Sequence, residues 1–173
     1  MTVDHPLKQY VETTPDWPKE GVNFLDISPL LADHFNETVQ AMQNLFTADE
    51  LDGIDAFAGL DARGFIFAAA LATATGKGFI MPRKGGKLPP PFSEKSYDLE
   101  YGQATLQLKP GNGNVAIVDD VLATGGTLKA AAELCSDAGY TVKSLAVLID
   151  LAFLHDDDFN WQGITPRAVM TYE

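Results

Sequence analysis

The chain carries one cysteine, Cys135, among its 173 residues. No internal disulfide is possible, and nothing in the cysteine usage points to secretion. Positive charge is also scarce: 12 Lys and Arg face 24 Asp and Glu, a formal charge of −12. Nucleic acids and anionic membranes require a broad positive field, so neither is expected as a partner. A small anion is still allowed, because a few local cations and backbone N–H groups can hold it. No apolar run approaches bilayer-spanning length, and MTVDHPLKQY lacks the apolar core of a signal peptide. No repeat or long linker divides the sequence, so one domain over residues 1–173, soluble and cytoplasmic, is the expectation. His5, His34 and His155 are too scattered for a metal site. The nucleotide-binding Gly-x4-Gly-Lys-Ser/Thr pattern is missing. GNGNVA spaces its small residues like a dinucleotide fingerprint, but it precedes an apolar run instead of following one.

What is present alternates between strand-like and helix-like stretches. IDAFAGL, GFIMP, VAIVDD and VKSLAVLID are short apolar runs that read as buried strands. ISPLLADHFNETVQAMQNLFTAD reads as one or two helices, RGFIFAAALATATG as a helix stopped by Gly76, and GGTLKAAAELCSDAG as a helix closed by Gly139. QATLQLK alternates like a half-exposed strand or hairpin arm. ETTPDWPKEGVNF reads as an ordered loop, and KGGKLPPPFSEKSYDLEYG as a long loop without periodicity. This order predicts an α/β fold with a central, mainly parallel sheet flanked by helices. Ligands of such sheets bind at the carboxyl ends of the strands.

One strand end stands out. In VAIVDDVLATGGTLKAA an apolar run closes on Asp119 and Asp120, passes through the small residues Ala123, Thr124, Gly125, Gly126 and Thr127, and enters an alanine-rich helix. Small residues let backbone N–H groups approach a ligand, and the helix start adds unpaired N–H groups and a positive dipole end. That is an anion cradle. Carboxylates cannot bind the anion, but they accept hydrogen bonds from sugar hydroxyls or hold a divalent cation through water. A phosphorylated ribose satisfies both halves of the motif.

VAIVDDVLATGGT resembles the phosphoribosyl-pyrophosphate (PRPP) signature of type I phosphoribosyltransferases. PDWPKEGVNFLDISPLL, GLDARGFIFAAALA, RKGGKLP, SYDLEYG and VLIDLAFL follow the motif order of the adenine-specific branch over roughly Pro15 to Leu154. The resemblance implies the type I fold, with a small hood of N- and C-terminal segments over the base site. It implies transfer of phosphoribosyl from PRPP to adenine, giving AMP and pyrophosphate, with Mg²⁺ carried mainly by PRPP and water. It implies a homodimer with shared active sites.

By this match Asp119 and Asp120 hold the ribose hydroxyls, and residues Ala123, Thr124, Gly125, Gly126 and Thr127 hold the 5′-phosphate. Asp61, Ala62 and Arg63 form the pyrophosphate loop, where the family carries a non-proline cis peptide at the Asp61–Ala62 position. Arg83, Lys84 and Lys87 supply further cations for pyrophosphate. Glu100 is the catalytic acid–base candidate together with Arg63 as the cation on the leaving group. Tyr97, Glu100 and Tyr101 belong to a mobile loop that excludes water. Phe24 and Leu151 flank the base, with the backbone around Val22–Leu25 as its reader. Taken by themselves, Glu100 reads as an exposed loop carboxylate, Leu151 as core, and Arg63 as a cation set against the helix dipole.

Two departures affect the base. The family has arginine where Leu25 stands and glutamate where Asp150 stands, and the usual Gly-Arg continuation beyond the last strand is absent. Hypoxanthine or guanine as acceptor therefore stays open, as does a non-catalytic PRPP sensor. Cys135 reads as a helix-core thiol, and Trp17 and Trp161 as packing residues.

Overall fold

The structure is a computed structural model and describes residues 5–99, 102–155 and 159–173. Five strands build the central sheet: β3 (Ala56–Gly59), β4 (Gly78–Ile80), β8 (Asn114–Leu122), β9 (Thr141–Leu151) and β10 (Arg167–Tyr172). Their order is β10-β9-β8-β3-β4, and every pairing is parallel. Successive side chains of a strand point to opposite faces, and here both faces are covered. Ala116 and Val118 of β8, with Ala146 and Leu148 of β9, enter one core cluster with Phe57, Phe67 and Met42. Val115, Ile117, Leu145 and Val147 enter a second, closed by Leu128, Ala131, Leu134 and Cys135. Strands buried on two sides must be apolar throughout, which is why VAIV and LAVLI are unbroken runs.

The helices follow from equally local signals. α1 (Ser28–Asp33) and α2 (Phe35–Gln43) divide the first helical stretch at His34. α3 (Ala48–Gly53) begins with a capping box, in which Thr47 accepts from the Glu50 N–H and Glu50 accepts from the Thr47 N–H. α4 (Arg63–Thr75) ends at the left-handed Gly76, and α5 (Gly126–Asp137) carries the second core face. Cys135 is buried on α5, and burial pushes its thiol up to about 12.

Two stretches read as loops contain strands. β1 (Glu12–Thr14) and β2 (Phe24–Asp26) form an antiparallel hairpin within the proline-containing N-terminal segment. β5 (Arg83–Lys84), β6 (Ser93–Leu99) and β7 (Gly102–Leu108) form a separate antiparallel sheet in the order β5-β7-β6. Its SEKSYDL arm lacks an apolar alternation because much of it faces solvent, so its strand character comes from pairing with QATLQL rather than from its own pattern. Tyr97 is thus a strand residue opposite Ala104, half-buried against the second core cluster, and not part of an irregular loop. Glu100 and Tyr101 lie outside the described residues.

The start of α4 approaches the sheet unusually closely. A Cβ on Gly59 would lie 2.5 Å from the Gly64 carbonyl oxygen and 2.7 Å from Ala68 Cβ. A Cβ on Gly64 would lie 2.8 Å from the Val118 carbonyl oxygen and 2.9 Å from Asp119 Oδ1. Both contacts exclude any side chain. Gly59→Ala is expected to cost about 1–3 kcal/mol through overpacking, read as a lower urea midpoint with an unchanged slope. An unchanged midpoint would mean that α4 can withdraw freely from β3.

Candidate functional site

The carboxyl end of β8 turns into α5 through Ala123, Thr124 and Gly125. Gly125 has φ 83° and ψ −10°, a left-handed conformation that favours glycine, and no side chain caps the helix. Asp119, Val121, Leu122, Ala123, Thr124, Gly125, Thr127 and Leu128 line a cavity of about 80 Å³. A water molecule takes about 30 Å³ of liquid, so this space suits a small anion. The turn thus gathers Asp119 and most of the predicted cradle residues around one cavity. Gly126 is the first residue of α5 and abuts it.

The two carboxylates behave differently. Asp119 Oδ1 accepts from the Asp120 N–H at 2.9 Å. Burial, and then the neighbouring Asp120 charge, hold the Asp119 carboxyl well above its ordinary value. Asp120 is 6% exposed, and its Oδ2 lies 2.6 Å from Arg63 Nε. That contact pairs the charges without hydrogen-bond geometry, and Oδ2 is buried without a hydrogen-bond donor among the described residues. The cation at the start of α4 therefore already has an anion beside it, Asp120, which offsets its unfavourable place at the dipole.

Beside this pair, the segment after β3 and the basic strand end meet. The Asp61–Ala62 peptide is cis. Asp61 Oδ2 accepts from Arg83 Nε at 3.2 Å and from the Lys84 N–H at 3.3 Å. Burial opposes ionisation of Asp61, yet the Lys84 N–H, Arg83 and Lys87 outweigh it and hold the carboxyl below its usual range. Arg83 also lies over the Phe65 ring at 5.8 Å. Lys84 and Lys87 are exposed, so this group can face an anion. Behind it, the buried Gln107 accepts from the Gly86 N–H at 3.0 Å and donates to Glu94 at 2.6 Å.

The base side is less compact. A cavity of about 420 Å³ opens between the β1–β2 hairpin and the ends of β9 and β10, lined by Leu25 and Leu151 with Asn23, Phe153, Leu154 and Tyr172 among others. Phe24, on the alternate face of β2, does not line it. Its ring meets Trp17 edge-on at 4.6 Å, and Trp17 is 53% exposed rather than a core packing residue. Leu25, not Phe24, faces Leu151 across this space. Both backbone groups of Val22 are engaged, its N–H by Lys19 and its carbonyl by Trp17. Within Val22–Leu25, the backbone of Val22 is therefore already occupied. Asp150 is bound by His155, Nε2 to Oδ1 at 2.7 Å.

Two residues without a signal of their own in the sequence belong to this region. Val121 lines the cradle cavity, but its apolar neighbours make it look like any strand residue. Phe159 packs behind the cradle from a stretch that carries no recognisable pattern.

A family model described as phosphoribosyl transferase domain matches residues 41–161. The adenine phosphoribosyltransferase of Hydrogenovibrio crunogenus is 49% identical over 170 residues, covering 98% of each chain. That of Bdellovibrio bacteriovorus is 50% identical over 162 residues, covering 91% of this chain and 95% of the other. Among solved structures, the yeast adenine phosphoribosyltransferase complexed with an imino-altritol bisphosphate and adenine superposes with a TM-score of 0.84 at 32% identity, covering 95% of this chain and 96% of that one. With that sequence likeness, the parallel sheet and the cradle at its β8 end, the chain belongs to the adenine phosphoribosyltransferase family of type I phosphoribosyltransferases.

Proposed function

We propose that the protein transfers the 5-phosphoribosyl group of PRPP to adenine, forming AMP and pyrophosphate as a purine-salvage step. The observation that carries this reading is the uncapped start of α5 enclosing an anion-sized cavity directly beside Asp119. The 5′-phosphate enters that cavity, where amides and the hydroxyls of Thr124 and Thr127 donate to it. Asp119 and Asp120 accept from the ribose 2′ and 3′ hydroxyls, giving the Asp120 oxygen the donor it lacks. The Asp61 loop and Arg63 surround the pyrophosphate, and Arg83, Lys84 and Lys87 reach that of the neighbouring copy. As the C1–oxygen bond breaks, positive charge grows on the ribose ring and negative charge on the leaving group, and these fixed cations stabilise the latter. Glu100, in the SYDLEYG motif with Tyr97 and Tyr101, is assigned the proton of the attacking base nitrogen. Leu25 and Leu151, which line the cavity, provide the apolar surroundings of the base.

The carboxylate pair beside the cradle fits Mg²⁺ held through water, since Asp120 Oδ2 itself faces Arg63 at 2.6 Å. Among the described residues no group of three His, Cys, Asp or Glu could hold it alone. PRPP oxygens and water supply most of its ligands, and when bound it neutralises charge on the leaving group. The buried thiol and the negative net charge support a cytoplasmic setting, and no helix among the described residues is long and apolar enough to cross a membrane. Two copies pair through the apolar patch of Ile66 on α4, Phe79 on the edge strand β4 and Met81 after it, exposed by 37%, 37% and 46%. This patch adjoins Arg83 and would bring one copy's cations to the other's pyrophosphate.

Incubating the protein with PRPP, Mg²⁺ and single purine bases is expected to yield AMP from adenine and no nucleotide from hypoxanthine or guanine. Nucleotide from an oxopurine alone would overturn the substrate, and PRPP binding without product would leave a sensor.

Asp119→Asn is expected to weaken PRPP binding and yet raise Tm at pH 7. The folded carboxyl keeps its proton to higher pH than the unfolded one. Its contribution is therefore complete below the ordinary value of 3.8 and is lost as pH rises through the raised one. The variant's advantage should grow with pH, by about 2–4 °C per kcal/mol relieved. A variant that melts lower at pH 7 than at pH 4, relative to the parent, contradicts this assignment.

Sedimentation equilibrium is expected to give twice the 18.7 kDa chain mass, and Met81→Glu to shift it toward a single chain. A parent protein that sediments as one chain refutes the pairing.

A further inference from the structure

The segment beyond β9 reaches back to the phosphate cradle. A Cβ on Gly125 would lie 2.2 Å from Phe159 Cε2 and 2.6 Å from Cζ, so the ring rests directly on the Gly125 Cα. Phe159 does not line the cradle cavity. The ring therefore stands behind the turn, and the anion's place on the other side stays open. The described residues before and after Phe159 are themselves held. His155 bonds Asp150 at 2.7 Å, and Asp150 pairs in register with Leu122 at the end of β8. The His155 ring lies 5.8 Å from that of Phe159. Trp161, 8% exposed, is buried in the core cluster that contains Leu122 and Leu128, and Phe159 packs against that cluster.

Gly125 needs this support. Its left-handed backbone is uncapped by any side chain, and glycine has more alternatives to lose than any other residue. A loop that binds through backbone donors gains affinity from being held in the bound geometry beforehand. We propose that Phe159 is a positioning residue of the phosphate cradle: its ring buttresses the Gly125 turn from behind and thereby sets the affinity for a ribose 5-phosphate group. This inference rests on the reading of the cradle as a phosphate site and adds to it the element that preorganises it. The same contact explains why Gly125 admits no side chain on steric grounds as well as conformational ones.

The test is calorimetric binding of ribose 5-phosphate, alongside steady-state kinetics of the full chain. Phe159→Ala is expected to weaken ribose 5-phosphate binding and raise the PRPP KM about tenfold or more, as small misplacements of binding groups do, with the adenine KM nearly unchanged. Phe159→Tyr keeps the ring and is expected to restore the parent affinity. Met170→Ala, a truncation in the other core cluster, is expected to lower Tm without changing ribose 5-phosphate affinity, which separates positioning from general destabilisation. If the alanine variant does not fold, Phe159→Leu decides: weaker binding supports the role, and unchanged binding overturns it. Parent-like affinity in folded Phe159→Ala overturns it as well. A parent protein that binds neither ribose 5-phosphate nor PRPP would overturn the cradle reading itself.

Discussion

The contact on which the site depends is the side-chain-free approach of α4 to the end of β8. Gly64 lies where any Cβ would strike the Val118 carbonyl and Asp119, and Gly59 allows the same closeness one strand away. That proximity places Arg63 within reach of Asp120 and sets the Asp61 loop beside the acidic pair. The starts of α5 and α4 are thus brought together at adjacent strand ends. Without the glycines the helix would stand off, and the two starts would part.

The electrostatics follow from this crowding. Two carboxylates at neighbouring positions, one enclosed and one buried, repel each other. Asp119 responds by holding its proton more firmly, while Asp120 is neutralised by Arg63. Such an arrangement is costly for the fold. Asp61 is the opposite case. Its carboxyl stays ionised because three positive or donor groups converge on it, and in doing so it aims Arg83 and the Lys84 backbone at the loop.

Much of this was legible in the sequence. VAIVDD and VKSLAVLID announced buried parallel strands because both faces had to be apolar, and the small residues of DDVLATGGT marked a tight turn into a helix, which lines a cavity. The β6 arm was not legible, because SEKSYDL owes its extended form to its partner rather than to its own alternation. Nor was the geometry of the base side. The period of two places Leu25 and Phe24 on opposite faces of β2, but which face opens on the cavity depends on how the hairpin docks, and that is a tertiary matter. Phe159 carried no local signal at all, since its role arises from a chain reversal past the last motif. The ion pair of Arg63 with Asp120 was not legible either, since it joins residues 57 apart in the sequence.

Gln107 joins two parts that a reader of the sequence would treat separately. One buried amide grips the turn bearing the lysines through Gly86 and the outer hairpin strand through Glu94. The turn and the strand are therefore moored to a single buried side chain, and the place of one fixes the place of the other.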